Sequence, residues 1–127
     1  MGDRSLSRGG GGAHDIAERT FSFALRVLRL VRALPRDTVG AVVARQLARS
    51  GTGIGSNVEE AQDAHTKKEF IRKMNIARGE ARETLYWLRL IREAELVGTD
   101  LLTDIIRESD ELVRILVTIV KRARGTE

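Results

Sequence analysis

"ARSGTGIGSNVEEA", residues 48–61, sets Gly51, Gly53 and Gly55 at alternate positions and follows them with Ser56 and Asn57. Glycine at this density usually marks a loop, and a glycine loop ahead of a serine suggests a phosphate cradle. The competing reading is a helix that needs small residues. The first would make the chain a nucleotide enzyme, the second a helical bundle. A Walker loop requires Gly-Lys before Ser or Thr, and no Gly-Lys occurs in the chain. A dinucleotide fingerprint requires a third glycine after a strand, but Ser56 holds that place and what precedes it is helical in pattern. Val39, Val42, Val43, Gln46, Leu47, Ser50, Ile54, Asn57, Val58 and Ala61 keep helical spacing straight through the glycines. The stretch reads as the middle of a helix.

The rest of the chain has the same periodicity. A first helix is expected from about Asp15 to Leu34, closed by Pro35, the only proline. It carries two apolar seams side by side. Ala17, Phe21, Ala24, Leu28 and Val31 form one; Ile16, Phe23, Val27, Leu30 and Leu34 form the other. Asp37 or Thr38 can cap the second helix. Thr66 and Glu69 make a capping-box pattern ahead of a third helix, about Lys67 to Leu96. Its seam is Phe70, Met74, Ala77, Ala81, Leu85, Leu88 and Ile91, with Gly98 as the stop. The fourth helix starts at Thr99 or Asp100, with Leu102, Ile105, Ser109, Leu112, Leu116 and Ile119 as its seam. Four helices with short connections predict an all-α, up-down-up-down antiparallel four-helix bundle. The bundle is expected over residues 14–124, between a Gly-rich tail at 1–13 and a short tail at 125–127.

A hairpin turning near Ala64 sets Gly51 level with Ala77 and Arg49 level with Gly79. It places Arg45 opposite Glu83 as an ion pair. Gly51, Gly55, Ala77 and Gly79 are then candidates for close helix–helix contact. Each interior glycine costs up to about 1 kcal/mol relative to alanine, so the row implies either close packing or a bend.

Bulk properties bound the function. The chain has 127 residues, a net charge of +4 and no cysteine. One domain is expected, and disulfides, thiolate metal sites and thiol catalysis are excluded. The lack of cysteine fits a reducing, cytoplasmic setting. No apolar run reaches the roughly 20 residues of a membrane span. His14 and His65 are the only histidines, and neither has the Glu-x-x-His spacing of a dimetal bundle site. Arg8 and His14 approach the spacing of helical ribonucleases, but in a glycine tail that could not hold catalytic geometry. No metal, cofactor or catalytic group is expected.

Basic clusters are the remaining candidates. Arg26, Arg29, Arg32 and Arg36 stripe the first helix and its end. Lys67, Lys68, Arg72 and Lys73 open the third, and Lys121, Arg122 and Arg124 close the fourth. The second and third clusters share one pole in the expected topology. These residues suit phosphate-backbone contact. With no aromatic interleaving visible, sequence-specific reading of single strands is not expected.

Gln46-Leu47-x-Arg49, Ile54, Ser56-Asn57-x-x-Glu60, Lys68-Glu69-Phe70 and Ile76-Ala77-x-Gly79-x-x-x-Glu83 resemble the "four helix bundle protein" family. That family includes proteins encoded in intervening sequences of bacterial large-subunit ribosomal RNA. It is similar to the accessory variability proteins of diversity-generating retroelements. The resemblance spans about residues 15–122 and implies a left-handed bundle assembling as a ring-like homopentamer. Retroelement members bind nucleic acid and a reverse transcriptase through a basic surface, so RNA, DNA or a reverse transcriptase are the partners it implies. Arg45, Asn57, Glu60 and Glu83 become candidates for a structural polar network or an inter-subunit surface. By that resemblance serine is usual near Gly53 and glycine near Ala61, serine often stands in place of Glu80, and the extra glycines Gly51 and Gly55 are not typical.

Two functions follow as expectations. One is an oligomeric, non-enzymatic module that contacts structured RNA or DNA, or a protein bound to it. The other is a structural or adaptor oligomer with no nucleic-acid role, favoured by the doubled seam of the first helix.

Overall fold

The structure, a computed structural model, describes residues 12–125. They form α1 (Gly12–Ala33), α2 (Thr38–Gln62), α3 (Lys67–Glu93), a 3₁₀ turn (Thr99–Leu101) and α4 (Thr103–Arg124). The expected N-terminal tail lies outside the described residues up to residue 11, and α1 takes in residues 12 and 13. Arg8 and residues 126–127 also lie outside. The described residues form an all-α four-helix bundle.

The caps explain the boundaries. Asp37 accepts a hydrogen bond from the Gly40 N–H at 2.8 Å, satisfying a free donor at the start of α2. Thr66 does the same for the Glu69 N–H at 3.1 Å and starts α3. α4 ends at Gly125, whose φ of 76° is the left-handed conformation glycine adopts without strain. The end of α3 departs from expectation. The helix stops at Glu93, before Leu96, and the left-handed residue after it is Glu95, φ 55°. Gly98 instead precedes the 3₁₀ turn with extended backbone.

α2 runs unbroken through Gly51, Gly53 and Gly55. At Gly51 and Gly55 glycine answers a neighbour, and that neighbour is α1. A β-carbon on Gly51 would stand 2.7 Å from Val27, and one on Gly55 would stand 3.3 Å from Thr20. The expected pairing of Gly51 with Ala77 is therefore corrected. Ala77 is a buried core residue of α3, and Gly79 has nothing within 4 Å of where a β-carbon would stand. Periodicity marks which face of a helix is buried but not which neighbour it meets.

Cross-helix pairs set the register. Val27 faces Gly51 and Thr20 faces Gly55, so α1 and α2 are antiparallel. The Thr84 and Ser50 hydroxyls share a hydrogen bond of 2.9 Å and Lys73 meets Glu60, so α2 and α3 are antiparallel. Arg19 on α1 bridges Glu108 and Glu111 on α4, each at 2.8 Å. These pairs pivot the α2–α3 hairpin near Thr66 rather than Ala64, one helical turn from the expected register. The Arg45–Glu83 pair accordingly does not form. Arg45 is exposed, and Arg49 reaches Glu83 instead.

The core is apolar: Phe23, Leu47, Ile54, Met74, Leu88, Leu112 and Leu116 are fully buried within it. Of the two α1 seams, the one through Ile16, Phe23, Val27, Leu30 and Leu34 is buried in it, and the other reaches it only through the partly buried Ala17 and Val31. On α3, Thr84 rather than Leu85 is buried, because its hydroxyl is satisfied by Ser50 and by donation to the Glu80 carbonyl at 2.8 Å.

Candidate interaction surfaces

α1 has two unlike flanks. From Arg19 to Arg36 the chain contains no acidic residue. Toward α4, Arg26 and Arg29 overhang a crevice of about 220 Å³ floored by Leu30, Leu101 and Ile105. Toward α2, Phe21, Leu25 and Leu28 are 60%, 43% and 43% exposed. Phe21, Ala24 and Leu28 border a groove of about 340 Å³ whose other wall is Thr52, Gly55 and Ser56. Small residues on α2 let the backbones approach, and the larger α1 side chains are left partly uncovered. Arg19 is spent on Glu108 and Glu111, whose hydrogen bonds hold its pKa above the usual value. Arg26, Arg29, Arg32 and Arg36 have no acidic partner among the described residues.

The α2–α3 face carries a half-exposed polar network. Arg49 meets Glu80 and Glu83, and it donates to Gln46 at 2.9 Å. The Trp87 indole N–H donates to Glu83 at 3.0 Å. Burial raises the Glu80 pKa; Arg49 pulls it down and Glu83 pushes it further up. A β-carbon on Gly53 would come within 3.2 Å of the Glu80 carboxyl carbon, so glycine at 53 makes room for the Glu80 side chain. Of the four expected network residues, Glu83 belongs to this cluster and Arg45 does not. Asn57 donates to the Gly53 carbonyl at 2.8 Å within α2. Glu60 pairs with Lys73 a few turns away. The hub, Arg49, was missed for want of the correct hairpin register.

The antiparallel order brings the start of α3 and the end of α4 to one pole. Lys67, Lys68, Lys121, Arg122 and Arg124 are exposed or half-exposed there. Arg72 is paired with Glu69 at 2.9 Å, and that contact lowers the Glu69 pKa. The arginines of α1 lie toward the opposite pole, so the basic residues divide between two surfaces. His65 is an exposed residue of the α2–α3 turn. No group of three or more His, Cys, Asp or Glu among the described residues could hold a metal. No helix among them is long and apolar enough to cross a membrane.

Sequence reasoning also missed an exposed aromatic. Tyr86 is 53% exposed and leans edge-on against Trp87, with ring centroids 5.1 Å apart. Phasing α3 through Thr84 instead of Leu85 would have turned Tyr86 outward.

Comparison with known proteins bears on these surfaces. Residues 13–118 match the family model described as 23S rRNA-intervening sequence protein. A solved structure from Bacteroides thetaiotaomicron, described as a protein of unknown function from the S23 ribosomal protein family, is similar at 35% identity. The similarity covers 86% of this chain and 97% of that one, with a TM-score of 0.79. No curated protein matches.

Proposed function

We propose, from the premise that the chain belongs to the 23S rRNA-intervening sequence protein family, that it is a non-enzymatic oligomeric module binding nucleic acid by the phosphate backbone. The observation that carries the reading is the acid-free run from Arg19 to Arg36, with Arg26, Arg29 and Arg32 on α1 and Arg36 just beyond its end, none with an acidic partner among the described residues. Arginines without acidic partners need no local pair to be broken before meeting a phosphate, and each contact releases condensed counterions. The basic pole formed by α3 and α4 would be a second contact surface.

Assembly belongs to the same proposal. Phe21, Leu25 and Leu28 form an apolar strip that the monomer leaves uncovered. A homopentamer, as the family resemblance implies, would bury it and bring the α1 arginines of neighbouring copies into one array. Clustered sites raise avidity without any new contact.

The strip also supports a second reading, a protein adaptor with no nucleic-acid role. Titrating blunt duplex DNA and structured RNA across a salt series, alongside sedimentation equilibrium, separates the two. Binding that weakens steeply with salt, by an oligomer, supports the proposal. A stable oligomer that binds neither probe at low salt leaves the adaptor reading.

A further inference from the structure

We propose that the outward ridge of α3 is a stacking site for an unpaired nucleobase, with Tyr86 as the platform and Arg82 and Arg89 as flanking phosphate contacts. The inference rests on the nucleic-acid reading above and deepens it from backbone contact to single-stranded segments.

Lys68, Arg72, Asn75, Gly79 and Arg82 follow one another by fours and threes, and the same steps lead on to Tyr86 and Arg89. That spacing is one line along a helix, about 30 Å long at 1.5 Å per residue. Lys68, Arg72, Gly79, Arg82, Tyr86 and Arg89 are all exposed, and the line contains no acidic residue. Of the acids of α3, Glu69 pairs with Arg72 at the start of the line, while Glu80 and Glu83 are engaged by Arg49 and Glu93 by Arg92. Arg82 and Arg89 have no acidic partner among the described residues. Charge complementarity therefore favours a polyanion over a protein surface.

The aromatic is held in place. Arg49 fixes Glu83, Glu83 accepts from the Trp87 indole, and Trp87 braces Tyr86 edge to face. A ring already ordered loses little freedom when a base stacks on it. Two turns before Tyr86, Gly79 has nothing within 4 Å of a β-carbon position, so a strand can lie close to the helix backbone there. Stacking is tolerant of base identity because every base has a π-face. The site would therefore distinguish unpaired from paired nucleotides and would not read sequence.

Tyr86 and Trp87 are the only tyrosine and tryptophan in the chain, so intrinsic fluorescence reports on the site. The probes are a homopolymeric single-stranded RNA and a blunt RNA duplex of equal charge, titrated into wild type, Tyr86→Ala, Tyr86→Phe and Arg82→Gln/Arg89→Gln. The single strand is expected to quench the wild-type emission. Tyr86→Ala should weaken single-strand binding by about tenfold to a hundredfold and leave duplex binding unchanged, while Tyr86→Phe retains both. The double arginine variant should reduce the salt dependence of single-strand binding. Tyr86→Ala binding the single strand as tightly as wild type overturns the inference, and duplex binding in that experiment leaves the backbone reading standing. An altered sedimentation coefficient for Tyr86→Ala assigns the ridge to a protein contact and also overturns it. Wild type that binds neither probe overturns both readings together.

Discussion

A single methyl group at Gly51 should cost stability, although alanine is the better helix former. The β-carbon of Gly51→Ala would stand 2.7 and 2.8 Å from the two γ-methyls of Val27. Carbon atoms pack best at about 3.5–4.0 Å. Val27 is completely buried, and a β-branched residue in a helix has essentially one rotamer, so it cannot swing aside. The strain must move α1 against α2, at a cost of about 1–3 kcal/mol for an overpacked core. The gain in helix propensity returns about 1 kcal/mol. Net destabilisation of about 1 kcal/mol is expected. Gly79→Ala is the control: that site is exposed and open, so propensity acts alone and should stabilise by about 1 kcal/mol. Urea unfolding at one fixed protein concentration measures both, the fixed concentration being needed for any oligomer. A double-mutant cycle makes the contact specific. Val27→Ala should cost less in the Gly51→Ala background than in wild type, by about 1–2 kcal/mol. Equal stabilisation by the two alanines, or a coupling of zero, would show that α1 and α2 are not held together at this point.

Further outcomes test other contacts. A β-carbon on Gly40 would lie 1.8 Å from the Pro35 carbonyl oxygen, a backbone atom that cannot turn away, so Gly40→Ala should destabilise more than Gly51→Ala in the same urea series. Glu80 titrates above its ordinary range, chiefly through burial. A carboxyl raised on folding stabilises the fold fully below its unfolded pKa, and that contribution is lost as pH climbs through the folded value. Glu80→Gln should therefore gain on wild type as pH rises above about 4, read from thermal midpoints at each pH; a loss over the same rise contradicts the burial. Leu28→Glu, at a 43% exposed position, should shift sedimentation toward monomer with helicity unchanged, whereas an unaltered oligomer removes the α1 strip from the interface.

The helices were legible from the sequence because burial repeats with the helical period, and because Asp37 and Thr66 each cap a donor within three residues of the boundary they set. What lay between helices was less legible. Shifting the hairpin pivot by two or three residues moves every cross-helix pair by about a turn, which is why Arg49 and not Arg45 meets Glu83. Thr84 looks like a surface residue until Ser50 is opposite it to satisfy the hydroxyl. Glu95 carries a left-handed conformation that composition assigns to glycine, and Gly98 was the better candidate on local grounds. The doubled seam of α1 was visible in the sequence, but only the bundle distinguishes the core seam from the uncovered one. The arginine stripe was readable from spacing, whereas its lack of acidic partners depends on where Glu108 and Glu111 fall, and they fall on Arg19.

The most direct measurement is the salt dependence of nucleic-acid binding by wild type and by a variant with Arg26, Arg29, Arg32 and Arg36 all changed to Gln. On a blunt duplex, the slope of log K against log salt is expected to become shallower by roughly 0.9 for each arginine that touches a phosphate, with helicity and oligomeric state unchanged. A variant that keeps both the affinity and the slope of wild type contradicts the α1 phosphate surface.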